Sequence, residues 1–182
     1  MKDLIETIFS AFKDYSRPDR DNIALHAGDL KFEALEDFAG MENSRISVDF
    51  LVPKHRQSLF FMTKNAFYYY LLAYMKVAVQ NYDRADTIPG MLINLFTLPV
   101  ARDWDRFDSI LREQTLIEEY TPLIASGSTV EDMKYFRERF HLLDISQKHA
   151  ILLFIEAIRE VHGHDFPDHA PQIAINNYWH HF

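Results

Sequence analysis

Hydrophobic positions recur along this chain mostly at three- and four-residue spacing, the period of an amphipathic helix. Leu4, Ile5, Ile8, Phe9 and Phe12 predict a first helix over residues 2–14, broken by Ser16-Arg17-Pro18-Asp19. Asp29 caps a second helix over 29–39 that would bury Leu30, Ala34, Leu35 and Phe38 and stop at Gly40. Thr63 caps a third, with Met62 and Phe67 at the spacing of a hydrophobic staple. On that helix Phe67, Leu71, Tyr74 and Ala78 share one face, with Tyr70, Ala73 and Val77 beside them. Asp83–Pro89 reads as a loop, followed by a short helix over Ile88–Leu98 with Pro89 tolerated in its first turn. Trp104, Phe107, Ile110, Leu111 and Ile117 mark a helix over 102–119. Ser128-Thr129-Val130-Glu131 is a capping-box signature opening a helix that buries Val130, Met133, Phe136 and Phe140. Ser146 begins the most apolar helix, Ala150–Ile158, and a last one over 170–180 carries Ile173, Tyr178 and Trp179.

One stretch breaks this period. Ile46, Val48, Phe50 and Val52 alternate with Ser47, Asp49 and Leu51, which is strand spacing. Residues 46–62 therefore admit a short β-hairpin turning at Pro53–Arg56, or a short helix, or an irregular crossing segment. The expected fold is all-α, a single domain over 1–182 with seven or eight helices around the Ala66–Val79 and Ala150–Ile158 helices.

Composition narrows the function classes. With 182 residues, five Gly, seven Pro and 48% hydrophobic residues, the chain fits one helical domain with a substantial core. Net charge is −8 and Lys54-His55-Arg56 is the densest basic run, so a phosphate-binding face for nucleic acid is not expected. A basic protein partner would be favoured by steering. There is no cysteine, which removes disulfides and thiolate chemistry. The longest apolar run, Ala66–Met75, is shorter than a membrane span, and acids interrupt the amino terminus where a signal peptide needs an apolar run. No membrane association is expected, and the cytoplasm is the expected location.

Candidate chemistry is sparse. No nucleophile elbow, phosphate loop or dinucleotide fingerprint occurs, and no catalytic triad can be assembled from the sequence. Tyr68, Tyr69, Tyr70 and Tyr74 sweep most of a helical turn, so they cannot all face inward. Tyr70 and Tyr74 are expected in the core with hydroxyls reaching a carbonyl or carboxylate, and Tyr68 at the surface. The sharper alternative has these hydroxyls lining a groove for a partner helix or an aromatic ligand. Gln147, His149 and Trp179 join them as candidate binding residues. Glu156 interrupts an apolar run, where it is either one member of a polar strip with Gln147, Lys148 and Arg159 or a carboxylate of raised pKa. His162, His164, Asp165 and His169 form the cluster richest in metal-ligand types, although Gly163 and Pro167 place it in a loop.

The stretch Phe-Phe-Met-Thr-x-x-Ala-Phe-x-Tyr-Tyr-Leu-x-Ala-Tyr over 60–74 resembles a motif of a bacterial domain-of-unknown-function family of about this length. Leu143, Ser146, Gln147, Ala150, Ile151, Phe154 and Ile155 look like that family's second helix motif, and Ala174, Tyr178 and Trp179 like its closing Ala-x-x-x-Tyr-Trp. That family tends to carry proline after Tyr-Leu, where this chain has Leu72, which keeps its backbone amide. The resemblance implies a helical bacterial protein and supplies no catalytic residues.

The functional expectation is a non-enzymatic protein–protein interaction module with no cofactor, immunity- or antitoxin-like by analogy only. The alternatives are a metal-dependent hydrolase holding a divalent metal at the His162–His169 cluster, or a small-ligand sensor with a tyrosine-lined pocket.

Overall fold

A computed structural model describes residues 2–24, 35–98 and 128–182, with side chains in the last stretch from Lys134 onward. Seven α-helices lie among these residues: α1 (Lys2–Ala11), α2 (Val48–Lys54), α3 (Lys64–Gln80), α4 (Ile88–Phe96), α5 (Ser128–Phe140), α6 (Ile145–His162) and α7 (Ala170–Asn177). No strand occurs among the described residues, only an isolated antiparallel bridge between Ala24 and Met62. The all-α expectation holds. The 102–119 helix, most of the 29–39 helix and the Ser128 capping box lie outside what is described.

The hairpin alternative for 46–62 is corrected to a helix followed by a tight turn. Ser47 C=O accepts from the amides of Phe50 at 3.2 Å and Leu51 at 3.1 Å, which closes the first turn of α2. Val48 and Leu51, three residues apart, are then both buried, while Asp49 and Lys54 face solvent. A two-stranded ribbon would have had no third strand to stabilise it. Ser58–Phe61 continues as a 3-10 turn leading into the next helix.

Thr63 caps α3 as expected, its hydroxyl accepting from the Ala66 amide at 3.3 Å. The same hydroxyl donates to the Asn22 carbonyl at 2.5 Å, pinning the chain's first segment to the start of α3. Met62 and Phe67 are both fully buried, as a staple requires. From Ala66 to Ala78 only Tyr69 and Lys76 escape full burial, so α3 is the central element. It runs unbroken through Leu72. Around it α1 packs along α6, α6 packs on α7, and α4 joins α3 to α7.

α6 begins one residue before Ser146, and its cap is Asp144. The Asp144 carboxylate accepts from the Gln147 amide at 2.8 Å, and the Gln147 side chain accepts from the Asp144 amide at 3.1 Å. This reciprocal pair is a full capping box. The helix is less central than its apolar run suggests: Leu152, Leu153 and Ala157 are half-buried, and Val161 is 58% exposed. None of the helices among the described residues is long and apolar enough to cross a membrane.

Candidate functional site

The tyrosines resolve at the level of single hydroxyls. Tyr70 O–H donates to the Phe38 carbonyl at 2.6 Å, and Tyr74 O–H to the His55 carbonyl. Tyr68, expected at the surface, is buried and donates to the Arg139 carbonyl on α5. That correction has a tertiary cause: Tyr15 packs against the Tyr68 ring at 4.7 Å, and α5 supplies the acceptor. Burial raises the pKa of all three well above the ordinary phenol value, so they stay neutral donors. Their hydroxyls are consumed by backbone carbonyls and cannot line an open groove. Tyr69 is half-buried, with its ring edge-on to Tyr70 at 4.9 Å.

The remaining binding candidates separate in space. Trp179 is buried, its indole N–H donating to the Phe96 carbonyl at 2.6 Å. Gln147 is committed to the α6 capping box, and His149 is exposed on the first turns of that helix. Arg159, one member of the expected polar strip, donates to Gln172 on α7 at 2.9 Å.

Glu156 instead borders a groove. Leu4 of α1, Val79 of α3, and Leu153, Ala157, Ile158 and Val161 of α6 line a cavity of about 400 Å³. Glu156 and Glu160, one helical turn apart, and His162 complete its lining. α1 packs along α6, α3 contributes Val79 to the same cavity, and the lining is mostly apolar with two carboxylate residues among it.

His162 is also part of the predicted metal cluster. The His162 ring stacks on Tyr82 at 3.4 Å and 5°. Asp165 stands between two histidines, 3.6 Å from His162 Nδ1 and 3.3 Å from His164 Nε2. Burial, with Asp165 next to it, pushes the Tyr82 phenol up to about 12. His169 sits apart at the corner entering α7, where Asp168 and His169 both adopt left-handed backbone with φ 54° and 56°. Among the described residues no three His, Asp or Glu side chains are grouped as a metal site.

A second cluster was not visible in the sequence. His55 is buried, with Nε2 3.2 Å from Asp37 and Nδ1 3.4 Å from the Ser58 hydroxyl. Asp, His and Ser thus line up in the order of a nucleophilic relay. Its partners argue for a structural clamp: Ser58 is buried within the turn that His55 begins, and Phe50 stacks on the imidazole at 4.6 Å. Desolvation lowers the His55 pKa, with Asp37 opposing, so the ring is neutral with a satisfied nitrogen on each side. The signal available in sequence was His55 and Ser58 three residues apart; Asp37 comes from a distant turn.

Comparison with protein-family models, curated proteins and solved structures found no match to this chain.

Proposed function

We propose that this protein is a non-enzymatic interaction module whose α1–α6 groove takes a basic amphipathic helix of a partner protein. The observation that carries this reading is a mostly apolar cavity between α1 and α6 that includes Val161, 58% exposed, with Glu156 and Glu160 among its lining residues. Helix-in-groove recognition requires that combination: apolar pockets for anchors at one-turn spacing, and charge along the edge that selects the partner. A chain of net charge −8 adds long-range attraction for a basic protein. Acidic proteins that neutralise a basic toxin offer an analogy for such a role, and the expected location is the cytoplasm.

The test is affinity capture from lysate of the source cell with wild type and two charge variants, Glu160→Lys and Val161→Lys. Both positions are exposed, so both variants should keep the wild-type circular dichroism spectrum and melting temperature. One stoichiometric partner, released by salt and lost from both variants, is the expected outcome. Equal capture by all three proteins, or a blank at low salt, would overturn the assignment.

A further inference from the structure

α6 carries two parallel stripes where it lines the groove. Leu153, Ala157 and Val161 follow one another at single-turn spacing, and Glu156 and Glu160 run beside them. Leu153, Glu156, Ala157 and Glu160 stand at i, i+3, i+4 and i+7, the four positions that frame a hole on a helix surface. Leu153, Glu156 and Ala157 are half-buried and Glu160 is exposed, so the hole is reachable from solvent. Ala157 is its smallest member, which lets a partner helix approach closely at that point.

Its two carboxylates are unlike several other acids of the surface. Glu36, Asp49 and Asp86 each hold an arginine, at 2.6, 2.6 and 2.8 Å. Glu6 and Glu138 each face a lysine one turn away, at 3.8 Å. Among the described residues neither Glu156 nor Glu160 has an ion pair or a hydrogen bond, and Arg159, between them in sequence, is held by Gln172. Two like charges at i and i+4 repel each other and weaken the helix slightly. A cation placed between them removes that repulsion and gains two partners.

Hole and charges together define the side chain that fits. Its stem must be unbranched and apolar, to lie against Leu153 and Ala157, and its head must be cationic, to meet Glu156 and Glu160. Lysine and arginine both have such a stem. Arginine's planar fork of five donors can bond two carboxylates at once, whereas lysine offers a compact, strongly hydrated charge. We infer that the basic helix seated in the α1–α6 groove anchors itself with an arginine, its stem in the Leu153–Ala157 hole and its guanidinium shared by Glu156 and Glu160. This anchor presupposes the groove as the docking site of such a helix, and it fixes the register in which the helix lies.

The probes are four alanine-based helical peptides of about twenty residues, above the length at which isolated helices are marginal. Each has leucine one turn before and one turn after a central position, which is arginine, lysine, leucine or citrulline, the neutral isostere of arginine. Binding to the full chain is read by fluorescence anisotropy of the labelled peptide at low ionic strength. The arginine peptide should bind most tightly, about tenfold or more ahead of the citrulline and leucine peptides. Glu156→Gln and Glu160→Gln keep the shape and remove the charge. Each should weaken the arginine peptide by roughly three- to tenfold, leave the leucine peptide unchanged and keep the wild-type melting temperature. A citrulline or leucine peptide that binds as tightly as the arginine peptide would overturn the cationic anchor, and an equal lysine peptide would overturn the guanidinium. No binding by any of the four, or arginine binding indifferent to both glutamine variants, overturns the anchor outright. Lysate capture separates its fate from that of the groove. A partner lost from Val161→Lys but held by both glutamine variants leaves the groove as docking site and removes the arginine, whereas equal capture by Val161→Lys and wild type removes the groove.

Discussion

At the scale of single residues, the interior of this protein spends its polar groups on backbone carbonyls. Phe67 is the pivot of the apolar part: fully buried, edge-on to Tyr68 at 5.4 Å and Phe140 at 6.0 Å, with the Arg139 guanidinium on its face. Phe67→Ala should therefore cost roughly 3–5 kcal/mol, a large part of the roughly 5–15 kcal/mol a domain has. An unchanged urea midpoint would remove Phe67 from the core. His55 gives a pH prediction of definite sign. Its folded pKa lies below the ordinary value of about 6.5, so the folded state resists a proton that the unfolded chain accepts. The stability this neutral histidine contributes is complete above about pH 6.5. It falls as the pH drops below that value and levels off beneath the folded pKa. The stability gap between wild type and His55→Gln should thus narrow between pH 8 and pH 5. Parallel profiles would show that His55 is not held neutral by the fold.

At the scale of helices, local chemistry was readable and tertiary placement was not. Thr63 and the staple of Met62 with Phe67 fixed the start of α3 because both signals act within one turn. Asp144 and Gln147 carried an equally local signal, yet Ser146 competes with it as a nominal cap, and only the hydrogen bonds decide between them. Asp144→Ala should lower stability by about 0.5–2 kcal/mol, with Asp144→Asn recovering most of the loss, as read from denaturation midpoints. If alanine and asparagine behave alike, the box does not stabilise α6. Residues 46–52 stayed ambiguous because four alternating positions fit period two as well as a two-turn helix with one buried side. Burial of Tyr68 depends on Tyr15 and on α5, neither adjacent in sequence. The groove was hidden for the same reason: Leu4 and Val161 come to line one cavity only when α1 lies on α6. Glu156 was legible in sequence only as a carboxylate in an apolar run, and its place beside the cavity came from the packing.

At the scale of the whole molecule, the question is whether the carboxyl-terminal segment is part of the core or a strap laid over it. Trp179 carries the answer. Its ring meets Phe96 of α4 at 6.0 Å and Phe140 and Phe136 of α5 at 5.8 and 6.2 Å. Its indole N–H satisfies the Phe96 carbonyl at 2.6 Å, across 83 residues of sequence. One side chain therefore ties α4 and α5 to the end of the chain, inside the same apolar cluster as Phe67 and Tyr74. Trp179→Phe keeps most of the ring but leaves the Phe96 carbonyl buried and unpaired, a loss of roughly 1–3 kcal/mol. Trp179→Ala adds a cavity, and the total should reach roughly 3–5 kcal/mol. If the segment is integral, both variants lower one cooperative transition, with tertiary and helical signals melting together. A strap would detach first: the alanine variant would then show an early aromatic transition while the helical signal kept its wild-type midpoint. The shared core and the hydrogen bond to α4 favour the single transition, because removing Trp179 exposes Phe96 and Phe140 themselves.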